Sequence, residues 1–353
     1  MTSTTRLENA RPNGTLRAAV IGVGRMGRHH ARLYAQHEAT DLVGVFDHDA
    51  GRATAITSEW GGKAFASLDE MIASGVDAVT IATPTIHHRA AAERLLAEGV
   101  ACLIEKPLAP DVVEARAIAD AAQQSGTVLQ VGHVVRYDPL MQAIRAIEGL
   151  TPRFIQVDRI SPMTFRSVDV GVVLDMMIHD LDLLLMFTGR EPEDVVASAV
   201  CVMGEAEDVC NARLTFPADA DGHRCVANVT ASRLAFKTER KFRIISEDCY
   251  ISADFVKRSG TVVRKTANAT QLADVRAKLA AGADLSDVNY LELVQVDEIT
   301  AGDREPLRAQ LDDFISAIRS GTQPMVDAEA GFAAVRTAER IVASARAAGS
   351  RMV

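Results

Sequence analysis

From Leu16 to about His133, short runs of consecutive apolar residues alternate with longer stretches in which Ala and charged residues recur at helical spacing. Consecutive apolar positions mark strands covered on both faces, as in a parallel sheet, and their alternation with helices is the pattern of βαβ units. The pattern predicts strands at 17–23, 42–47, 78–82, 101–105 and 128–132, and helices at 26–37, 50–60, 68–73, 87–97 and 111–124. Gly99 and Gly126 stand just beyond the last two helices, where C-terminal caps belong.

Beyond about Asp138 the periodicity changes. One helix, a strand at 154–160 and a helix around 174–185 precede strands at 197–203, 209–216, 224–234, 242–246, 250–255 and 261–265, with polar hairpin-like breaks between most of them. Strands in series without intervening helices imply antiparallel pairing. Residues 267–286 read as a helical or irregular insertion, and helices at 306–319 and 328–347 close the chain. At 353 residues the chain exceeds the usual ceiling for one core. The expected organisation is a frayed tail at 1–15, an α/β domain at 16–137 with a doubly wound parallel sheet, and an α+β domain at 138–353. The second domain would rest on an open, mainly antiparallel sheet and carry substrate and oligomer contacts.

Composition narrows the function classes. Hydrophobic residues make up 48% and charged residues 24%, as in soluble globular proteins. A formal net charge of -9 argues against nucleic acid or an anionic membrane as the main partner. The polar N-terminal tail has no signal-peptide core, and no apolar run approaches the roughly 20 residues of a membrane span, so the expected location is cytoplasmic. The five cysteines are scattered, with no CxxC and no histidine at ligand spacing, which points to reduced thiols and no metal site.

Two features carry chemistry. Gly22-Val23-Gly24-Arg25-Met26-Gly27 follows a predicted strand and opens a predicted helix, the context that makes a GxGxxG turn a dinucleotide site. Gly22 and Gly24 permit the turn and the close approach to pyrophosphate, Gly27 lets helix and strand pack, and the helix N-terminus supplies N–H donors. Asp47, twenty residues beyond Gly27, is placed to accept from both ribose hydroxyls and to repel a 2′-phosphate, which favours NAD. Arg52 keeps NADP as the second choice. The other feature is Asp175 and His179, four residues apart in an apolar helical run. On a helix they would stack on one face as a proton-transfer pair, with Leu174, Ile178, Leu181 and Leu185 as the buried stripe and Asp180 and Asp182 close by. Two strand ends add to these: Thr83-Pro84, and Glu105-Lys106-Pro107, whose lysine could stabilise a substrate alkoxide. His29, His30, His37, His48, His87 and His223 read as surface or helix-end residues, and the basic cluster Arg233, Lys237, Arg240, Lys241 as a solvated face or a phosphate site.

Taken in order, Val20 to Gly27, Thr83-Pro84 with His88, Glu105-Lys106-Pro107, Arg136-Tyr137-Asp138-Pro139, and Asp175 with His179 resemble the Gfo/Idh/MocA oxidoreductases. The resemblance implies a Rossmann domain followed by a domain with an open antiparallel sheet, used by members to form homodimers and homotetramers. It implies an active site lined by Lys106, Asp175 and His179, with Pro107 near the nicotinamide. Arg25, Met26, Thr83, Pro84, His88 and Glu105 would serve the cofactor, and Arg136, Tyr137 and Arg233 the substrate. The runs 169–175, 211–214 and 225–233 are similar to those of enzymes that oxidise the 3-hydroxyl of UDP-N-acetylglucosamine, whose ketone an aminotransferase accepts on the way to a diamino lipid A. The implied mechanism has His179 taking the hydroxyl proton, Lys106 stabilising the alkoxide and Asp175 orienting them, with hydride passing to NAD; Lys106 as the base is the open alternative. Oxidation of inositol or a free aldose, and a non-catalytic NAD-binding regulator, are the competing expectations.

Overall fold

A computed structural model describes residues 14–164, 170–267, 269–282 and 293–351. Residues 1–13 of the expected tail, Asp169, and 283–286 of the insertion lie outside the described residues. The chain divides into two compact units.

The first unit comprises residues up to Asp138, Val173–Leu185 and Arg304–Ala343. Its sheet is formed by β1 (Leu16–Ile21), β2 (Thr40–Phe46), β3 (Lys63–Ala64), β4 (Ala78–Ile81), β5 (Ala101–Ile104) and β6 (Leu129–Val131). The order is β3-β2-β1-β4-β5-β6 and every pairing is parallel. Strand order reverses between β1 and β4, so the carboxyl ends of these two strands flank the switch-point crevice where such sheets bind ligands. The helices are α1 (Gly27–Gln36), α2 (Ala50–Trp60), α3 (Leu68–Ala73), α4 (His88–Ala97) and α5 (Val112–Ser125). Asp49, Ser67 and Asp111 cap α2, α3 and α5 through their side chains, and Gly126 ends α5 in the left-handed region at φ 65°.

The division differs from a single cut near residue 138. The segment with Asp175 and His179 and the closing helix Pro306–Ser320 belong with the parallel sheet. The cause is packing: Leu307, Leu311, Phe314, Ile315 and Ile318 form one stripe of that helix and share a core with Leu16, Val20, Leu33 and Leu103.

The second unit comprises Pro139–Val172, Met186–Asp303 and the residues from Ser344. Its strands are β7 (Phe154–Ile160), β8 (Asp194–Val200), β9 (Val209–Thr215), β10 (Val226–Ser232), β11 (Glu239–Ile245), β12 (Cys249–Asp254), β13 (Ser259–Lys265) and β14 (Val294–Thr300). They form one sheet of order β14-β13-β12-β11-β7-β10-β9-β8, antiparallel throughout except for the β7/β10 pair. Strand β11 begins three residues before the expected 242, because Glu239, Arg240 and Lys241 pair with Ile160, Arg159 and Asp158 despite their charge. Strand β14 was not expected, since Ile299 is its only buried residue and no alternation marks it. The insertion contributes a helix at Ala269–Ala280. Among the described residues no helix is long and apolar enough to cross a membrane.

Candidate active site

The glycine-rich turn leaves β1 and enters α1 with its three glycines under different constraints. Gly22 has φ +79°, and a Cβ there would lie 2.8 Å from the Ala82 oxygen and the Thr83 nitrogen. A Cβ on Gly27 would overlap the Gly22 carbonyl oxygen, while Gly24 meets nothing within 4 Å. Gly22 and Gly27 thus close the turn upon itself, and Gly24 keeps an open face over the helix N-terminus. Asp47 ends β2 with its carboxylate accepting from Val23 N at 2.8 Å and Asp49 N at 2.9 Å. It is buried and ties the second strand to the turn. A carboxylate offers about four lone-pair sites, so capacity for ribose hydroxyls remains. Arg25 is exposed and Met26 packs against the sheet core. Arg52 pairs with Asp49 on the surface.

Beyond β4, Thr83 Oγ1 is buried with no hydrogen-bond partner among the described residues, and Pro84 is exposed at the start of a short 3-10 turn. The open Gly24, the helix N-terminus and this orphaned hydroxyl all fit a dinucleotide laid across the switch point. His88 is buried, its Nε2 3.0 Å from the Thr83 carbonyl oxygen and its Nδ1 3.2 Å from that of Leu108. Burial holds its proton affinity down against these carbonyls, so a neutral ring donates to one of them at a time. His88 therefore staples the loop after β4 to the loop after β5, and its nitrogens are committed to main chain.

The loop after β5 separates three neighbours. Glu105 is buried and its Oε1 lies 2.8 Å from His30 Nε2, which makes His30 an interior residue rather than the surface residue expected. Burial alone would raise the Glu105 carboxyl, but His30 and the Lys106 ammonium outweigh it and hold the group below the ordinary range. Pro107 is buried behind a cis Lys106–Pro107 bond. Lys106 points the other way, and Nζ donates to the main-chain oxygen of Asp175 at 2.6 Å and to its Oδ1 at 3.2 Å.

Asp175 lies in a π turn, Val173–Met177, and His179 in the α-helix Ile178–Thr188 that follows. The pair therefore does not stack as in the uninterrupted helix expected from the spacing. π turns widen the ladder and recur at functional sites, and here the Asp175 carboxylate meets Lys106. The helix is also buried more fully than one stripe would allow: Ile178, Leu181, Leu183 and Leu184 are inside, and so are Asp180 and Asp182. Asp182 explains this, because both its oxygens bind the Arg136 guanidinium, at 2.7 and 2.6 Å, and Arg136 also donates to the Met325 oxygen at 2.9 Å. The Arg136 guanidinium is thus tied into the interior framework. Tyr137 is likewise buried, with its hydroxyl donating to Asp313 Oδ2 at 2.7 Å. Burial and the Asp313 charge push that phenol well above its usual range.

Arg233, in the second unit, is likewise committed. It is buried and donates to Asp208 Oδ1 at 2.6 Å and to the Val170 oxygen at 2.7 Å. Burial opposes ionisation of Asp208, but N–H donors from Val202, Met203 and Gly204 and the Arg233 guanidinium bring its carboxyl down to about 2.

His133 was missed by reading the sequence. It follows β6 at the sheet's carboxyl edge, is wholly buried, and stands edge-to-face with His179 at a centroid distance of 5.9 Å. Position alone was a usable signal, since a polar residue directly after a parallel strand stands where ligands bind.

Lys106, Asp175, His179 and His133 thus gather in the first unit with the glycine-rich turn. Residues 16–133 match the family model described as an oxidoreductase family with an NAD-binding Rossmann fold, and 144–252 match the Gfo/Idh/MocA C-terminal domain. The chain belongs to the Gfo/Idh/MocA oxidoreductases. It is 36% identical over 316 residues to UDP-N-acetylglucosamine 3-dehydrogenase of Acidithiobacillus ferrooxidans, covering 90% of this chain and 93% of that relative. A solved structure of UDP-N-acetylglucosamine 3-dehydrogenase from the same organism superposes with a TM-score of 0.83 at 35% identity, covering 96% of this chain and 99% of that one. Inositol 2-dehydrogenase of Rhizobium meliloti is 31% identical over 203 residues, 54% of this chain and 61% of the relative. Levoglucosan dehydrogenase, solved with NADH and levoglucosan, shares the fold, with a TM-score of 0.79 at 18% identity over 94% of this chain and 98% of that one. NAD binding and oxidoreductase chemistry come with family membership.

Proposed function

We propose that this oxidoreductase oxidises the 3-hydroxyl of UDP-N-acetylglucosamine to the 3-keto sugar nucleotide. The observation that carries the substrate is the similarity to UDP-N-acetylglucosamine 3-dehydrogenase along 93% of that relative's length. Bound NAD supplies the acceptor for the hydride that leaves C3. The residues of this chain handle the proton. His179 accepts it from the 3-hydroxyl, leaving an alkoxide whose electron pair closes the carbonyl. The Lys106 ammonium stabilises the developing negative charge, and Asp175, bound to Lys106 through both a main-chain and a carboxylate oxygen, orients that ammonium. Arg136–Asp182 beneath the helix fixes the frame on which His179 stands.

In the same reading the protein is a cytoplasmic homo-oligomer that hands its ketone to an aminotransferase on a route to diamino lipid A. Alcohol oxidation by NAD runs uphill near neutral pH, so turnover is expected to be small alone and to rise when an aminotransferase consumes the ketone. Deuterium placed only at C3 of the sugar is expected in the NADH formed. Unlabelled NADH, together with robust activity on inositol or a free hexose, would reject the nucleotide sugar and leave the oxidoreductase assignment standing.

A further inference from the structure

His133 has no place in the proton transfer as described, yet its surroundings are unusual. Neither Nδ1 nor Nε2 has a hydrogen-bond partner among the described residues, although the side chain is wholly buried. Such a ring costs stability that an apolar ring of the same shape would not. The charged groups facing it are mixed in sign: Asp182 from the helix of His179 and Glu105 from the end of β5 favour its protonation, while Arg136 and Lys106 oppose it. Burial is the largest influence and lowers its proton affinity, so the ring is neutral near pH 7. It meets His179 with ring planes at 87°. Among the described residues no hydrogen bond engages either ring nitrogen, so both are left to act on the neighbouring ring.

We propose that His133 is a positioning residue for His179, a neutral imidazole whose lone-pair nitrogen faces the charge His179 gains on accepting the substrate proton. A dipole fixed in a dry site stabilises such charge without reorganising. The inference rests on His179 being the proton acceptor.

The test uses the full-length protein with histidines carbon-labelled, the His179 ring signal being identified as the one lost in His179→Ala. Its titration midpoint is followed by NMR in the wild type, His133→Phe and His133→Asn, beside kcat and KM for UDP-N-acetylglucosamine and the melting temperature. His133→Phe is expected to lower the His179 midpoint by about half a unit and kcat by about threefold. KM should barely move, and the melting temperature should hold or rise because the buried nitrogens are gone. His133→Asn, which keeps a dipole, is expected to recover most of the midpoint and of kcat. Should the phenyl ring prevent folding, His133→Leu carries the same expectation. An unmoved midpoint in His133→Phe while His179→Ala abolishes turnover would overturn this inference alone, as would an equal fall in the Phe and Asn variants. Near-normal turnover by His179→Ala would overturn the proton-acceptor reading and this inference with it.

Discussion

The two ends of the candidate site are made of different material. The end at the switch point is built from main chain: two glycines close the turn, a third leaves it open, and one carboxylate, Asp47, ties β2 to it. The other end is built from side chains drawn from distant segments, Lys106 after β5, Asp175 and His179 in the π-to-α segment, and Arg136 after β6. A main-chain site is specified by where a Cβ is forbidden, so few positions matter and each matters absolutely. A side-chain site depends on rotamers locked by supporting contacts, so residues that never touch substrate become indispensable.

That contrast can be broken at either end. The largest effect is expected from His179→Ala, which should lower kcat by about 10²- to 10⁴-fold while NAD affinity, read by fluorescence titration, stays put. Loss of NAD binding in this variant would show the two ends to be one. Asp182→Ala strands the Arg136 guanidinium in the interior and should cost about 3–5 kcal/mol in chemical denaturation, since a buried charge loses its partner. A loss below about 1 kcal/mol would mean that the pair is not the frame proposed. Gly27→Ala should weaken NAD about 10- to 100-fold, the cost of overpacking against the Gly22 carbonyl, with the Lys106 end intact. The smallest effect concerns acid. The Glu105 carboxyl lies below its ordinary value of 4.5 in the folded protein, so the stability it contributes is complete above that value and is lost as pH falls through the depressed one. Glu105→Gln should flatten the acid limb of a thermal-stability profile below about pH 4.5, and an unchanged limb would assign that loss to other carboxylates.

The same contrast explains what the sequence reveals. Five strands of the parallel sheet were legible because each carries a run of apolar residues, whereas the edge strand Lys63–Ala64 is too short and exposed to leave one; the glycine-rich turn was legible because its spacing is a direct record of where Cβ atoms collide. Lys106, Asp175 and His179 were legible as residues, but not as a geometry. Periodicity predicts an α-helix through Asp175, and nothing local announces the π turn that brings it to Lys106. The interior partners of Arg136 and Tyr137 were hidden for a related reason: they lie 46 residues away for Arg136 and 176 for Tyr137. His30 was hidden by its separation of 75 residues from Glu105, and β14 by having almost no buried face.

The core shared by the parallel sheet and the helix Pro306–Ser320 has a consequence for how the protein is made. A ribosome completes every strand of that sheet while the stripe of Leu311, Phe314 and Ile318 is still unsynthesised. Until then part of the sheet's apolar side, beside α1 and α2, stands uncovered, a surface that a holdase can grip and that invites aggregation. A nascent chain stopped near residue 303 should therefore remain protease-sensitive in its glycine-rich half, although that half is already complete in sequence. The helix Pro306–Ser320 acts as the signal that lets the parallel sheet close.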